Sequence, residues 1–235
     1  MTGSRGALSR AVARMVARRA TVVAIERLAD GFIAITLEAP GFRGAAWTPG
    51  AKIQVAMGSV FDTRTYTPIG WDAERGRTRI IGFLQGPGPG CAWLRDARTG
   101  DTCDVLGPRH SLDLRRPQGR IAFFGDETSL GLAYAVSRDA RCSCHLEAGN
   151  AAVIRHLFAE WGLHRVDVVA RMPADVHLDA WITALPALVE DGATFVLTGR
   201  AQTIQRLKDG LKLLGVPSGR TMTKAYWAPG KSGFD

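Results

Sequence analysis

The sequence predicts a two-domain α+β chain, with an N-terminal antiparallel six-stranded β-barrel followed by an α/β domain on a parallel sheet. Three observations predict it. Before residue 117, apolar and polar residues alternate over short runs separated by turn signals, as in an antiparallel barrel. After residue 119, strand-like and helix-like runs take turns, as in βαβ units. Between the two lies Arg115-Arg116-Pro117-Gln118-Gly119, with the composition of an interdomain linker. The expected division is a basic helix at 1–19, the barrel at 20–116 and the α/β domain at 117–235.

The first element is read from Arg5, Arg10, Arg14, Arg18 and Arg19 interleaved with Leu8, Val12, Met15 and Val16, an amphipathic basic helix. Three readings compete for it: an Arg-rich, acid-free leader, a surface-binding helix, or a helix packed on the first barrel strand. No hydrophobic core region or small-residue cleavage site follows, which favours the third. Barrel strands are expected at Ala20 to Glu26, Gly31 to Glu38, Lys52 to Met57, Arg64 to Thr67, Arg79 to Leu84 and Asp101 to Leu106. Turn signals stand at 39–41, 48–50 and 98–101, and one helix interrupts the strands from Gly90 to Ala97. The second domain alternates strands at Ile121 to Phe124, Cys142 to Glu147, Arg165 to Ala170, Thr194 to Leu197 and Thr221 to Trp227 with helices. The helices are expected at Ser129 to Arg138, Ala151 to Trp161, Asp175 to Val189 and Thr203 to Leu214.

With 235 residues, 46% of them apolar and 22% charged, the chain has the composition of a soluble globular protein. No window approaches the ~20 apolar residues of a membrane-spanning helix. Cys91, Cys103, Cys142 and Cys144 include no CxxC pair and no four-cysteine spacing for an iron–sulfur cluster. Cys142 and Cys144 share one face of a strand, and reduced, buried thiols in a cytoplasmic protein are the expectation. The net charge of +8 points to an anionic partner. Nucleic acid is disfavoured, because aromatic and basic residues do not interleave as a stacking platform outside the first helix.

Five motifs carry chemistry. In Arg64-Thr65-Tyr66-Thr67, the arginine and the ring lie two apart on a strand and so point to one side. A guanidinium grips phosphate, a ring covers a flat heteroaromatic face and a hydroxyl bonds a ring nitrogen, which together suit a flavin nucleotide. An ordinary strand end is the alternative. Gly86-Pro-Gly-Pro-Gly-Cys-Ala-Trp-Leu94 opens a helix with no side chain in the way, fitting either a pyrophosphate or a tight turn. Gly125-Asp126-Glu127-Thr128-Ser129 follows a strand and starts a helix, where Asp126 caps and hydroxyls face a crevice. In Leu197-Thr198-Gly199-Arg200 the arginine suits a cofactor phosphate or solvent equally. Lys224-Ala225-Tyr226-Trp227-Ala228-Pro229-Gly230 sets two aromatic rings at the end of the last strand, as a lid over a flat cofactor or as core.

In this order, with Gly107-Pro108-Arg109 between the second and third, the motifs resemble those of the siderophore-interacting protein family. These are flavin-dependent ferric-siderophore reductases of the ferredoxin-reductase-like superfamily. The resemblance spans residues 20 to 230. It implies FAD in the barrel, NADPH or NADH in the second domain, and a ferric siderophore or another small acceptor as electron sink. By that resemblance Arg64 lies at the flavin phosphate and Tyr66 and Thr67 at the isoalloxazine, Thr65 between them counts among the cofactor-binding residues, and Leu84 and Gln85 line the flavin through backbone. Gly88, Gly90, Cys91, Ala92 and Trp93 form the pyrophosphate turn. Asp126, Glu127, Thr128, Arg200, Tyr226 and Trp227 border the nicotinamide cleft, and Arg200 with Lys224 is the residue type a 2′-phosphate takes. No protein acid, base or metal ligand is assigned.

The chain also departs from the family pattern. Gln85 stands where a His is common, Cys91 where Ser or Thr is, Ile69 where a second Arg is, and Gln54 where a Lys is. The lost basic groups are ones that would help hold FAD or an anionic iron complex. A flavin reductase with a quinone, oxygen or a partner protein as acceptor, and a ligand-binding relative without turnover, are the competing readings.

Overall fold

The computed structural model describes residues 17–59, 62–86, 88–112, 114, 117 and 119–230. The chain divides into two compact units, Met1–Ser111 and Leu112–Asp235. The division falls ahead of the 115–119 linker, since Leu112 is already buried and Arg141 Nη1 donates to Pro117 O at 2.9 Å.

Alternating sequence builds the first sheet. β1 (Arg18–Ala29), β2 (Phe32–Glu38), β3 (Lys52–Ser59), β4 (Asp62–Tyr66), β5 (Pro68–Asp72), β6 (Arg77–Phe83) and β7 (Thr102–Arg109) pair in the order β4-β3-β7-β1-β2-β6-β5. Every ladder is antiparallel. The two edge strands, β4 and β5, are joined through the single residue Thr67, so the sheet must curl until its edges meet as a barrel. Among the described residues this sheet has seven strands, where six barrel strands were expected. Pro68 has no N–H with which to prolong the β4 ladder, so the chain turns there and pairs with β6 instead.

The expected helix at 1–19 lies outside the described residues through 16, and its last two residues are strand. Arg18 opens β1 and donates to Gly107 O, while Arg19 Nη2 donates to Thr102 Oγ1 at 2.6 Å, both across the β1–β7 ladder. Inward-facing Val22, Ile35, Leu37, Ile53, Val55, Ile80 and Val105 form the barrel core with Phe42, closed by Leu94 of α1 (Pro89–Asp96). Each such side chain contributes about 1.5–3 kcal/mol by leaving water.

In the second unit, β8 (Ile121–Asp126), β9 (Cys142–Ala148), β10 (Val166–Ala170), β11 (Thr194–Arg200) and β12 (Thr221–Trp227) form a parallel sheet. Its order is β10-β9-β8-β11-β12. The chain winds outward from β8 to β10, then returns to β11 on the other side, which puts the topological switch point between β8 and β11. All of β8 is buried, as a central strand covered on both faces must be. Between the strands run α2 (Leu130–Ser137), α3 (Ala151–Glu160), α4 (Leu178–Glu190) and α5 (Ala201–Leu213). Ala122, Phe124, Phe195 and Leu197 pack on Leu178, Trp181, Leu185, Leu207 and Leu211 of α4 and α5. Alternation turns Phe123 and Val196 to the opposite face, and α2 and α3 pack on β8–β10.

One helix starts later than its spacing predicts. It was expected from Asp175, but Ala174 and Asp175 have φ of 53° and 57°, outside the right-handed helical region, and α4 begins at Leu178. All four cysteines are free thiols, and burial pushes Cys142 up to about 12 and Cys103 to about 11. Among the described residues no helix is long and apolar enough to cross a membrane.

Candidate functional site

The barrel unit gathers part of the first two motifs on one face. The β3–β4 hairpin sets Val55 opposite Arg64 and Ile53 opposite Tyr66. Arg64 and Tyr66 therefore emerge on the same side of β4, and both meet the start of α1. A Cβ placed on Gly90 would stand 3.0 Å from Arg64 Cγ and 3.4 Å from the Tyr66 hydroxyl, so glycine is what lets the helix approach. The Trp93 ring lies 6.0 Å from that of Tyr66. Burial pushes the Tyr66 phenol well above its ordinary value; Cys91 adds to this and Arg64 opposes it. Arg64 Nη1 donates to the Thr63 carbonyl at 2.7 Å, which folds the guanidinium back along its own strand.

The turn into α1 is held from inside. Cys91 Sγ donates to Gln85 O at 3.1 Å and Phe83 O at 3.4 Å, tying the helix start to the end of β6 and bringing Leu84 and Gln85 beside it. Gly88 caps α1 without a side-chain hydrogen bond, Pro89 removes one donor, and the N–H groups of Cys91 and Ala92 both go to Gly88 O at 3.0 and 3.1 Å. Ala92 and Gln85 are exposed, and Thr67 is half-buried at the β4–β5 corner. Thr65 points to the other side of β4, where its buried Oγ1 has no hydrogen-bond partner. Arg64, Tyr66, Gly90, Cys91 and Trp93 thus come together, whereas Thr65 faces away. A cation, a phenol and a glycine-rich helix start on one face can hold an anion beside a flat ring.

The parallel-sheet unit has a second cluster at the carboxyl ends of its strands. Asp126, the last residue of β8, is fully buried and accepts from Thr128 N at 2.9 Å, Thr128 Oγ1 at 2.5 Å and Trp227 Nε1 at 2.7 Å. Burial pushes its carboxyl up to about 6, against the pull of the Thr128 and Trp227 hydrogen bonds. Gly199 has φ +92°, and a Cβ there would lie 2.5 Å from Asp126 Cγ, so only glycine allows β11 to pass this carboxylate. Glu127 accepts from Gly149 N and pairs with Arg171 Nη2 at 2.6 Å. Arg171 Cζ also sits 5.7 Å from the centroid of the Trp227 ring, a cation–π arrangement.

At the centre of this cluster is Glu147, near the end of β9, with its side chain 1% exposed. Its Oε2 lies 2.6 Å from His177 Nε2 and 3.5 Å from Arg171 Nε, and its Oε1 accepts from Thr203 Oγ1 at 2.6 Å. Arg200 Nη1 is 4.0 Å from the same carboxylate. Arg200 is chiefly engaged by Asp175, in a two-pronged pair at 2.6 and 2.9 Å. That pair holds the Asp175 carboxyl below its ordinary value.

Of the residues expected in this unit, Asp126, Glu127, Thr128, Arg200 and Trp227 are together, while half-buried Tyr226 falls at the irregularity where the β11–β12 register shifts from Ala225 to Trp227. Glu147, Arg171, Asp175, His177 and Thr203 were not anticipated. A readable signal existed: Asp126, Glu147, Arg171 and Arg200 put a charge at or just after the carboxyl end of four neighbouring strands. Such an edge can bind a polar ligand at the switch point.

No family model and no curated protein matches the chain. Solved structures do. The siderophore-interacting protein SipS from Aeromonas hydrophila is similar at 20% identity and a TM-score of 0.75, over 92% of this chain and 94% of that one. Phthalate dioxygenase reductase, described as a modular structure for electron transfer from pyridine nucleotides to a 2Fe–2S centre, is similar at 17% identity and a TM-score of 0.74, over 93% of this chain. CYP116B46 from Tepidiphilus thermophilus is similar at 19% identity and a TM-score of 0.70, over 92% of this chain. The chain spans 70% of the phthalate reductase and 29% of CYP116B46. These likenesses establish the ferredoxin-reductase-like two-domain fold.

Proposed function

We propose that the chain is an NAD(P)H-dependent flavoprotein reductase that binds FAD in the barrel unit and passes electrons to a ferric siderophore. The observation that carries this reading is the convergence of Arg64, Tyr66, Gly90, Cys91 and Trp93 on one face of the barrel. The fold shared with SipS and the phthalate reductase supports it. The residues fit the cofactor: Arg64 would hold phosphate, Tyr66 with Thr67 would face the ring, and Leu84 and Gln85 would line it through backbone. Gly88, Gly90, Cys91, Ala92 and Trp93 would carry the pyrophosphate turn, where the close approach at Gly90 leaves no room for a side chain. Thr65, pointing away, would support the strand rather than the ligand.

Bound FAD would supply the change from hydride to single-electron chemistry. The protein would position it, and in the second unit Asp126, Glu127, Thr128, Arg200 and Trp227 would border the nicotinamide nucleotide, with Tyr226 next to Trp227 at the end of β12. Reduction of ferric iron weakens the hold of hard oxygen ligands, so Fe(II) would be the released product, and the net charge of +8 would favour an anionic complex. A second reading, a flavin reductase with another acceptor, has its own observation. Gln54 Nε2 donates to Thr63 Oγ1 at 3.2 Å and Ile69 is half-buried in β5, so neither position offers the cation that a siderophore reductase commonly has there.

The visible spectrum of the purified protein tests the proposal. Flavin absorbance bleached by NADH or NADPH, with Fe(II) trapped from ferric chelates, is the expected result. Bleaching without Fe(II) release from any chelate favours the second reading. A colourless protein that cannot be reconstituted with FAD overturns both.

A further inference from the structure

The arginine that ends β11 already has a carboxylate on it. Arg200 ends β11 beside the switch point, where a dinucleotide crosses an open α/β sheet. Its side chain is only 13% exposed and faces Asp175 in two hydrogen bonds, with Glu147 behind it at 4.0 Å. We propose that Asp175 makes the second unit selective for NADH over NADPH, by occupying Arg200 and by presenting a carboxylate to the ribose. This rests on the reading of that unit as a nicotinamide-nucleotide site.

Three further features show that this pair is built into the fold. The segment from Arg171 to His177 carries Ala174 and Asp175 at φ 53° and 57°, two successive residues in a left-handed conformation that costs about 1–3 kcal/mol each. The segment is pinned at both ends. His177 is held between Glu147 Oε2, 2.6 Å from its Nε2, and the Met172 N–H, which donates to its Nδ1 at 3.2 Å. Arg206 Nη1 donates to Asp175 O at 2.9 Å and its other nitrogen pairs with Asp179, so this second cation is committed as well.

The chemistry separates the two nucleotides. A ribose 2′-hydroxyl is neutral and can donate to a carboxylate, whereas a 2′-phosphate carries about −1.5 to −2 charges at neutral pH. To reach Arg200, the phosphate must displace Asp175 and approach Glu147, adding like charge to carboxylates in a poorly solvated edge. NADH makes no such demand. The Asp175 side chain, 26% exposed against 13% for Arg200, is the more accessible of the pair.

The test is equilibrium binding to the purified full chain, by calorimetry, of NADH, NADPH, AMP and adenosine 2′-monophosphate, for the wild type and for Asp175→Asn. The wild type is expected to bind NADH at least about tenfold more tightly than NADPH, and AMP more tightly than adenosine 2′-monophosphate. Asp175→Asn frees Arg200 and should raise affinity for the two 2′-phosphorylated probes by about tenfold, an increase lost again in the Asp175→Asn/Arg200→Ala double variant. Should Asp175→Asn not fold, the wild-type preference between the two nucleotides still decides. Wild-type binding of NADPH as tightly as NADH, or an unchanged ratio in a folded Asp175→Asn protein, overturns the inference and leaves the reductase reading standing. Failure of all four probes to bind overturns the nicotinamide-site reading along with it.

Discussion

The residues gathered in the barrel unit lie between Arg64 and Trp93 and meet through one hairpin edge and one helix start. Those at the carboxyl edge of the parallel sheet come from four strands, the loops that follow strands and a helix, and one of their hydrogen bonds spans 101 positions. The two groups also differ in what their side chains do. In the barrel, Arg64, Tyr66, Cys91 and Trp93 are half-buried and lie over an apolar core, on which Tyr66 and Trp93 pack. At the sheet edge, Asp126, Glu127, Glu147 and His177 are buried, and each is held by a hydrogen bond or ion pair to another group of the edge. A change in the first group should therefore cost ligand, and a change in the second should cost stability.

The sharpest break of that contrast is Glu147→Gln. It keeps the shape but leaves His177 and Arg171 facing a neutral amide, and about 3–5 kcal/mol of stability should be lost, read as a lower urea midpoint for the transition. A midpoint within experimental error of the wild type would mean that the network is dispensable.

Asp126 gives the next largest effect, and it depends on pH. Its carboxyl is raised from the ordinary 3.8 to about 6, so its stabilising contribution is fully present below about pH 4 and is lost as pH rises through about 6. The stability advantage of the wild type over Asp126→Ala should thus grow by about 3 kcal/mol between neutral pH and pH ~4. Denaturant unfolding of both proteins across that range measures it, and an advantage that shrinks with acid would show that Asp126 is stabilised as the carboxylate instead.

Arg64→Ala should behave in the opposite manner. Loss of one charged phosphate contact, worth about 1.5–3 kcal/mol, should lower FAD affinity at least about tenfold while the melting temperature of the flavin-free protein hardly moves. Retention of flavin through gel filtration would remove Arg64 from the site. The smallest change is Cys91→Ser. A hydroxyl can make the same bonds to Phe83 O and Gln85 O, so stability should shift by less than about 1 kcal/mol, checked by the same urea titration.

The same contrast explains what could be read in advance. Every strand and helix of the second unit was legible, because βαβ units repeat a change of period from 2 to 3.6 that a linear pattern preserves. Arg64 and Tyr66 were legible as partners because strand alternation is a local rule. The seventh barrel strand was not, since the expected run ends at Thr67 and nothing local announces that Pro68 to Asp72 pairs with β6. Asp175 was read as the first residue of a helix, and nothing local announces its positive φ. Glu147 looked like an ordinary polar residue of an alternating strand, and only the parallel register with β8 and β10 reveals that it lies level with Asp126 and Val169.

Sequence alone therefore suffices for the order of elements, the two-part architecture, and the Arg64 and Gly90 motifs, because hydrophobic period and turn chemistry act over a few residues. Which charges meet, and which remain available, is settled in space. The Arg200 guanidinium could be named from its strand end as a phosphate ligand, yet its partner Asp175 lies 25 positions away on a loop bent by two left-handed residues. Coulomb interactions depend on distance through the folded protein and not along the chain, so the pairing that sets the character of this edge exists only once the sheet has formed.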